Sequence, residues 1–167
     1  MGKDKTTKPT LYLETTIVSY LTARPSRDIV ILGHQETTRQ WWETKRSEYR
    51  IFISPFVIEE SSAGDPAASR KRIQILEEMD VLPVNSSLEK LSQELQKYLE
   101  IPDKARLDAI HLAFSILYEL DYLLTWNCSH LANANALRKL ARMAKERNYW
   151  LPIVCTPDEM ISDEKEK

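Results

Sequence analysis

The stretch "LYLETTIVSYL", Leu11 to Leu21, decides the fold. Leu11, Tyr12 and Leu13 are apolar or aromatic in succession, with no polar alternation, so they read as a strand buried on both faces. Glu14 then ends the run with a carboxylate, and Thr15 and Thr16 follow where a helical segment begins. A charge placed where a buried strand hands over to a helix needs polar company. That company has to come from far along the chain.

Working outward, the same pattern recurs. Short apolar runs at Thr10–Leu13, Arg50–Ser54, Val81–Val84, Tyr122–Thr125 and Leu151–Cys155 alternate with longer segments of helical period. This alternation predicts an α/β fold whose mostly parallel five-stranded sheet is covered by helices on both faces. "SSLEKLSQELQKYLE" sets Leu88, Leu91, Leu95 and Leu99 on one stripe, with Ser86 and Glu89 as a capping box. Segments 107–120 and 135–147 carry further apolar stripes, and "TPDEM" combines Thr156 as N-cap, Pro157 at the first helical position and Glu159 three residues after the cap. No repeat or composition break divides the chain, so one domain is expected over 10–161, between a polar tail at 1–9 and an acidic tail at 162–167.

Composition narrows the function. With 167 residues, 43% hydrophobic and 29% charged, the chain is expected to be soluble, and no apolar run approaches the ~20 residues of a membrane span. The start "MGKDKTTKPT" has no apolar signal-peptide core, and Cys128 and Cys155 are too few for a disulfide framework, so a reducing cytoplasm is the expected compartment. Only Gly2, Gly33 and Gly64 occur, which excludes a P-loop and a glycine-rich dinucleotide turn. The net charge of −2 supplies no global field for nucleic acid.

Ligand sites in parallel sheets lie beyond the carboxyl ends of the strands. Glu14 ends the first strand, and Asn127 in "YLLTWN" follows the fourth. Glu59 and Glu60 lie on a helical turn just past the second strand, and Asp108 in "ARLDAIHLAF" opens the helix leading into the fourth. Carboxylates gathered at one rim either hold protons or bind a hard cation such as Mg²⁺ or Mn²⁺, and the cation is the expected reason. His111, three residues after Asp108, reads as a core imidazole rather than a ligand, since Mg²⁺ prefers oxygen. Trp41 and Trp42 read as core or a subunit contact rather than base-stacking residues. The cations from Arg138 to Arg147 read as a solvated face, whereas Arg24 and Arg27 lie nearer the expected site.

"LYLETTIVSYL", "ISPFVIEESSAGD", "RLDAIHLAFSILYELDYLLTWNCSHL" and the ending "LPIVCTPDEM" together resemble a PIN domain, and most resemble the VapC-like ribonuclease toxins. The likeness spans nearly the whole chain. Leu13-Glu14-Thr15 resembles the family's "LDT", with Glu for the usual Asp. Spacing from Ser54 and to Gly64 places the family's second acid at Glu60, the third matches Asp108, and Thr125 puts Asn127 at the fourth position. Where the family often adds a fifth acid followed by Phe, this chain has His130 and Leu131. The resemblance implies an α/β/α sandwich of strand order 3-2-1-4-5 and metal-dependent cleavage of RNA. It implies Mg²⁺ or Mn²⁺ held by Glu14, Glu60 and Asp108, with Asn127 as a neutral oxygen or water-orienting group. It also implies a homodimer neutralised by a small antitoxin. The alternative is a PIN-like module that binds RNA or a protein without cleaving, motivated by the longer Glu14 and the uncharged Asn127.

Overall fold

The computed structural model of the chain describes residues 7–161. Residues 1–6 of the expected amino-terminal tail and the whole acidic tail, 162–167, lie outside the described residues. Strands β1 (Thr10–Leu13), β2 (Arg50–Ile53), β3 (Asp80–Val81), β4 (Tyr122–Leu124) and β5 (Ile153–Cys155) form one sheet in the order β3-β2-β1-β4-β5. Every pairing is parallel, as continuous apolar strands joined by helices require. Helices α1 (Thr15–Thr22) and α2 (Ile29–Thr44) join β1 to β2, and α3 (Pro55–Ser62) and α4 (Pro66–Leu76) join β2 to β3. Helices α5 (Ser86–Tyr98) and α6 (Arg106–Leu117) lead to β4, α7 (Ala134–Arg147) leads to β5, and α8 (Pro157–Met160) closes the described chain.

The centre of the sheet is dry. Leu11, Tyr12 and Leu13 are all fully buried, which explains the absence of polar alternation in β1. On α5, Leu88, Leu91 and Leu95 are buried and Leu99 follows at its C-cap, so the stripe faces the core. Each such leucine stabilises the fold by roughly 1.5–3 kcal/mol, enough to outweigh any propensity difference along the helix. Trp41 is fully buried, and Trp42 packs against the core with the Arg46 guanidinium 4.4 Å from its ring centre, so the pair is core rather than a base platform. On α7, Arg147 pairs with Glu94 of α5 at 2.9 Å and Lys139 pairs with Glu100, so these cations belong to a solvated, ion-paired face.

Several element ends fall short of the expected ones, each for a local reason. Ser54 leaves β2 to cap α3, where its hydroxyl accepts from Val57 N–H. Leu82 still donates to Ile53 O at 2.8 Å, but Pro83 has no N–H, so β3 stops and Val84 is exposed. Pro152 likewise delays β5 until Ile153. The capping box expected from Ser86 and Glu89 does not form. Asn85 caps α5 instead, its side chain accepting from Ser87 and Leu88 N–H, because an Asx side chain one residue earlier reaches those orphan donors directly. The capping box of Thr156 and Glu159 does form.

Candidate metal centre

Strand order reverses between β1 and β4, since β1 is followed in sequence by β2 on one side but lies beside β4 on the other. At such a reversal the helices leave in opposite directions and open a crevice beyond the strand ends. Leu13 is level with Leu124, so the next residues, Glu14 and Thr125, meet across the crevice. Glu14 is only 4% exposed and serves as the N-cap of α1, with extended backbone. Its Oε2 accepts from Thr16 N–H at 3.1 Å, from the Thr16 hydroxyl, and from the Thr125 hydroxyl at 2.8 Å. The Thr16 hydroxyl in turn accepts from Trp126 N–H at 2.8 Å, tying α1 to the turn after β4.

The second threonine serves another acid. Thr15 donates its hydroxyl to Glu60 Oε2, and His111 Nε2 contacts the same oxygen at 2.9 Å. Glu60 reaches this point from α3, whose start is set by Ser54 as N-cap and Pro55 at the first helical position. Its neighbour Glu59 points about 100° away around the helix and is exposed. One ligand atom from each of Glu14, Glu60 and His111 lies within 4.8 Å of the others. In both glutamates every hydrogen bond among the described residues ends on Oε2, which leaves Oε1 to a ligand.

Asp108, half-buried in the first turn of α6, stands outside that tight group. The Asn127 side chain favours the ionised form of Asp108 against the burial that raises its pKa, as an amide N–H₂ turned toward the carboxylate does. The orientation is fixed from behind, because Asn127 Oδ1 accepts from Ser129 N–H at 3.2 Å and His130 N–H at 3.0 Å. With its oxygen committed to two backbone donors, Asn127 is placed to orient Asp108 rather than to offer an oxygen to a cation.

Burial and the neighbouring charges act against each other on the acids of the site. Burial pushes the Glu14 carboxyl up, despite the His111 charge and the threonine hydrogen bonds that favour ionisation. Burial also pushes Asp108 up. At Glu60 burial acts the same way, but the His111 hydrogen bond and charge and the Thr15 hydroxyl overcome it and hold the carboxyl below the usual range. Burial disfavours the His111 imidazolium, yet the Glu60 hydrogen bond and the charges of Glu14, Glu60 and Asp108 outweigh it and raise its pKa. Protons and a hard divalent cation are rivals for such a site. The donor set is rich in oxygen and fits Mg²⁺ or Mn²⁺.

Sequence reasoning placed His111 in the core, and it is fully buried. What that reasoning missed is its double engagement, with Glu60 on one ring nitrogen and the Tyr12 hydroxyl, 2.7 Å away, on the other. A tyrosine inside an otherwise aliphatic buried strand was the available signal, since a buried phenol needs a partner. His34, for which the sequence offered no partner, stacks on Trp126 with ring centres 4.0 Å apart, and Tyr20 lies beside both. Trp126 is buried, and its Nε1–H donates to the Thr38 hydroxyl of α2 at 2.7 Å, so these rings fasten α2 to the turn after β4. Arg24 and Arg27 are exposed on the turn between α1 and α2.

The chain's all-parallel sheet of order 3-2-1-4-5 between helices is the fold of VapC-like PIN-domain structures. Solved structures that share it include the following two. One is VapC20 from Mycobacterium tuberculosis, described as a sarcin-ricin loop cleaving toxin, with a TM-score of 0.53 and 14% identity over 72% of this chain and 92% of that one. The other is VapBC2 from Rickettsia felis bound to a DNA fragment from their promoter, with a TM-score of 0.55 and 16% identity over 88% of this chain and 98% of that one. No family model and no curated protein sequence matches this chain.

Proposed function

We propose that this chain is a divalent-cation-dependent endoribonuclease of the PIN type and the toxin of a toxin–antitoxin pair. The observation that carries the reading is the shared arrangement of Glu14 and Glu60. Each comes from a different element, binds protein donors through Oε2 and keeps Oε1 without a protein hydrogen bond. That is how a carboxylate is held rigid while one oxygen stays available to a cation. Mg²⁺ or Mn²⁺ bound there would supply an activated water and neutralise charge building on the scissile phosphate. Glu14 and Glu60 would hold the ion directly, and Asp108 would do so directly or through water, oriented by Asn127. Thr15, Thr16 and Thr125 keep the two glutamates fixed. The antitoxin and the RNA substrate rest on the likeness to the two toxin structures, and the homodimer and the cytoplasmic setting are part of the same proposal. Among the described residues no helix is long and apolar enough to cross a membrane.

The test is to incubate the purified chain with a mixed RNA pool, in Mn²⁺ or in chelator. Cleavage in Mn²⁺ alone is expected, and Asp108→Asn should remove it while leaving the metal-free fold intact or slightly more stable, because one repelling charge is gone. Full activity in that variant would remove Asp108 from the site. A second reading has one observation in its favour. With the Asn127 oxygen taken by backbone donors, the site has fewer ligands than an all-oxygen cation shell uses, which suits a module that binds RNA or a protein without cleaving. Mn²⁺ binding without cleavage of any RNA would select it.

A further inference from the structure

We infer that Tyr12 and His111 form a buried positioning relay that turns Glu60 toward the cation, with His111 acting as a hydrogen-bond donor to that carboxylate and not as a metal ligand. The inference rests on the cation reading of the site. Five residues from three elements, α3 with its N-cap Ser54, β1 and α6, make one chain of contacts. Val57 N–H meets Ser54 Oγ at 3.4 Å, Ser54 Oγ meets the Tyr12 hydroxyl at 2.8 Å, the Tyr12 hydroxyl meets His111 Nδ1 at 2.7 Å, and His111 Nε2 meets Glu60 Oε2 at 2.9 Å.

The direction of the chain follows from counting protons. Val57 N–H can only donate, so Ser54 Oγ accepts. Ser54 is fully buried, and the Tyr12 oxygen is the acceptor its own hydrogen has among the described residues. Tyr12, also fully buried, has then received a hydrogen and must pass its own to His111 Nδ1. An Nδ1 that accepts leaves the proton on Nε2, where it is donated to Glu60. The Ser54, Tyr12 and His111 Nε2 hydrogens thereby each have an acceptor, and a neutral ring protonated on Nδ1 instead would strand the Ser54 hydrogen. In the neutral ring the relay therefore sets the tautomer of His111 from the amino end of α3, and the imidazolium keeps the same Nε2 proton on Glu60. Nε2, with its lone pair used by that proton, is unable to bind a cation while it serves Glu60.

This makes His111 and Tyr12 positioning residues. Their contribution is to restrict Glu60 to a single rotamer, with Thr15 and His111 on Oε2 and Oε1 free. Tyr12 lies on β1 two residues before Glu14, and His111 on α6 three after Asp108, so the relay also joins the elements that carry the other acids. Outer partners of this kind are worth about 10–100-fold in metal affinity.

The experiment is calorimetric titration of Mn²⁺ into the full chain and three variants, with metal-free thermal unfolding as the control for folding. Tyr12→Phe deletes one hydroxyl and should weaken Mn²⁺ binding by about tenfold, and His111→Leu by about 10–100-fold. His111→Gln keeps an amide donor near the Nε2 position and should return affinity to within about threefold of the wild type, a rescue that a merely space-filling histidine would not need. Electron-spin-echo spectra of bound Mn²⁺ should show no directly coordinated imidazole nitrogen. Wild-type affinity in folded Tyr12→Phe, or a coordinated imidazole in the spectra, overturns the relay. Should His111→Leu fail to fold, Tyr12→Phe and the spectra decide. A wild type that binds no Mn²⁺ at millimolar concentration overturns the cation reading itself, and the relay with it.

Discussion

Glu59 and Glu60 are chemically identical neighbours, and the helix separates their fates. Glu60 lies under Thr15 and His111, while Glu59 faces solvent. Glu60→Gln should therefore abolish cleavage and weaken Mn²⁺ binding by at least about tenfold, whereas Glu59→Gln should stay within about twofold of wild type. Equal losses in a side-by-side assay would show that the register of α3 has been misread. The titrating groups make a second prediction. Glu14 and Asp108 have raised carboxyl pKa values, chiefly through burial, and His111 is raised by its carboxylate neighbours over the opposing effect of burial. For each of these the native state holds its proton to higher pH than the unfolded chain does. The stability they contribute is thus complete below the unfolded value, 6.5 for His111, and is lost as pH rises through the raised native value. Glu60, with a lowered pKa, contributes stability above 4.5 that is lost only as pH falls through its native value, outside that range. In chelator, the unfolding midpoint should fall as pH rises past the unfolded values, 3.8 for Asp108, 4.5 for Glu14 and 6.5 for His111, and saturating Mn²⁺ should flatten the fall by taking over the role of the protons. A midpoint that rises with pH in chelator would contradict this account.

At the scale of elements, the site depends on how helices begin. Glu14 caps α1, Ser54 caps α3, and Asp108 lies in the first turn of α6, so three helix starts converge on one crevice. Their free N–H groups and dipoles favour the negative charge collected there. Helix ends carry no such constraint, and here the chain retains avoidable cost. Glu119, exposed just after α6, sits at φ 50°, in the left-handed region where a Cβ is crowded. Glu119→Gly should raise stability by about 0.5–1 kcal/mol without touching cleavage, measured by chemical denaturation at constant slope. A destabilised variant would mean that the Glu119 side chain makes a contribution its exposure does not reveal.

For the whole molecule, the proposed cation site is a joint between elements far apart in sequence. The N-cap of α1, α3 and α6 each bring one acid, and the Thr125 bond to Glu14 adds the turn after β4. Anything bound only in the assembled state stabilises the assembly by mass action. Mn²⁺ at about a hundred times its dissociation constant should therefore add about 2.7 kcal/mol to global stability, and chelator should remove it. Thermal unfolding with and without Mn²⁺ checks this, with Mg²⁺ in parallel. An unchanged midpoint at saturating cation would place the ion on a peripheral carboxylate instead.

The α/β class was legible in sequence because a strand buried on two faces must be apolar throughout, as Leu11–Leu13 are, while an amphipathic helix repeats every turn, as Leu88–Leu95 do. Local chemistry was legible for the same reason, so the Thr156 capping box could be read from residues three apart. The strand order 3-2-1-4-5 came only from the resemblance to PIN domains and was then seen in the sheet. Element ends were read less well. The Asn85 cap and the early stops at Pro83 and before Ile153 depend on which of several nearby donors wins a backbone partner. The division of the threonines, Thr16 to Glu14 and Thr15 to Glu60, depends on contacts spanning 45 residues in the second case. The commitment of the Asn127 oxygen and the relay from Ser54 through Tyr12 to His111 were equally invisible along the chain. Periodicity records which face of an element is buried, because burial acts on each side chain separately. The direction of a hydrogen bond across a crevice is a property of two residues at once, and only the folded chain brings them within 3 Å.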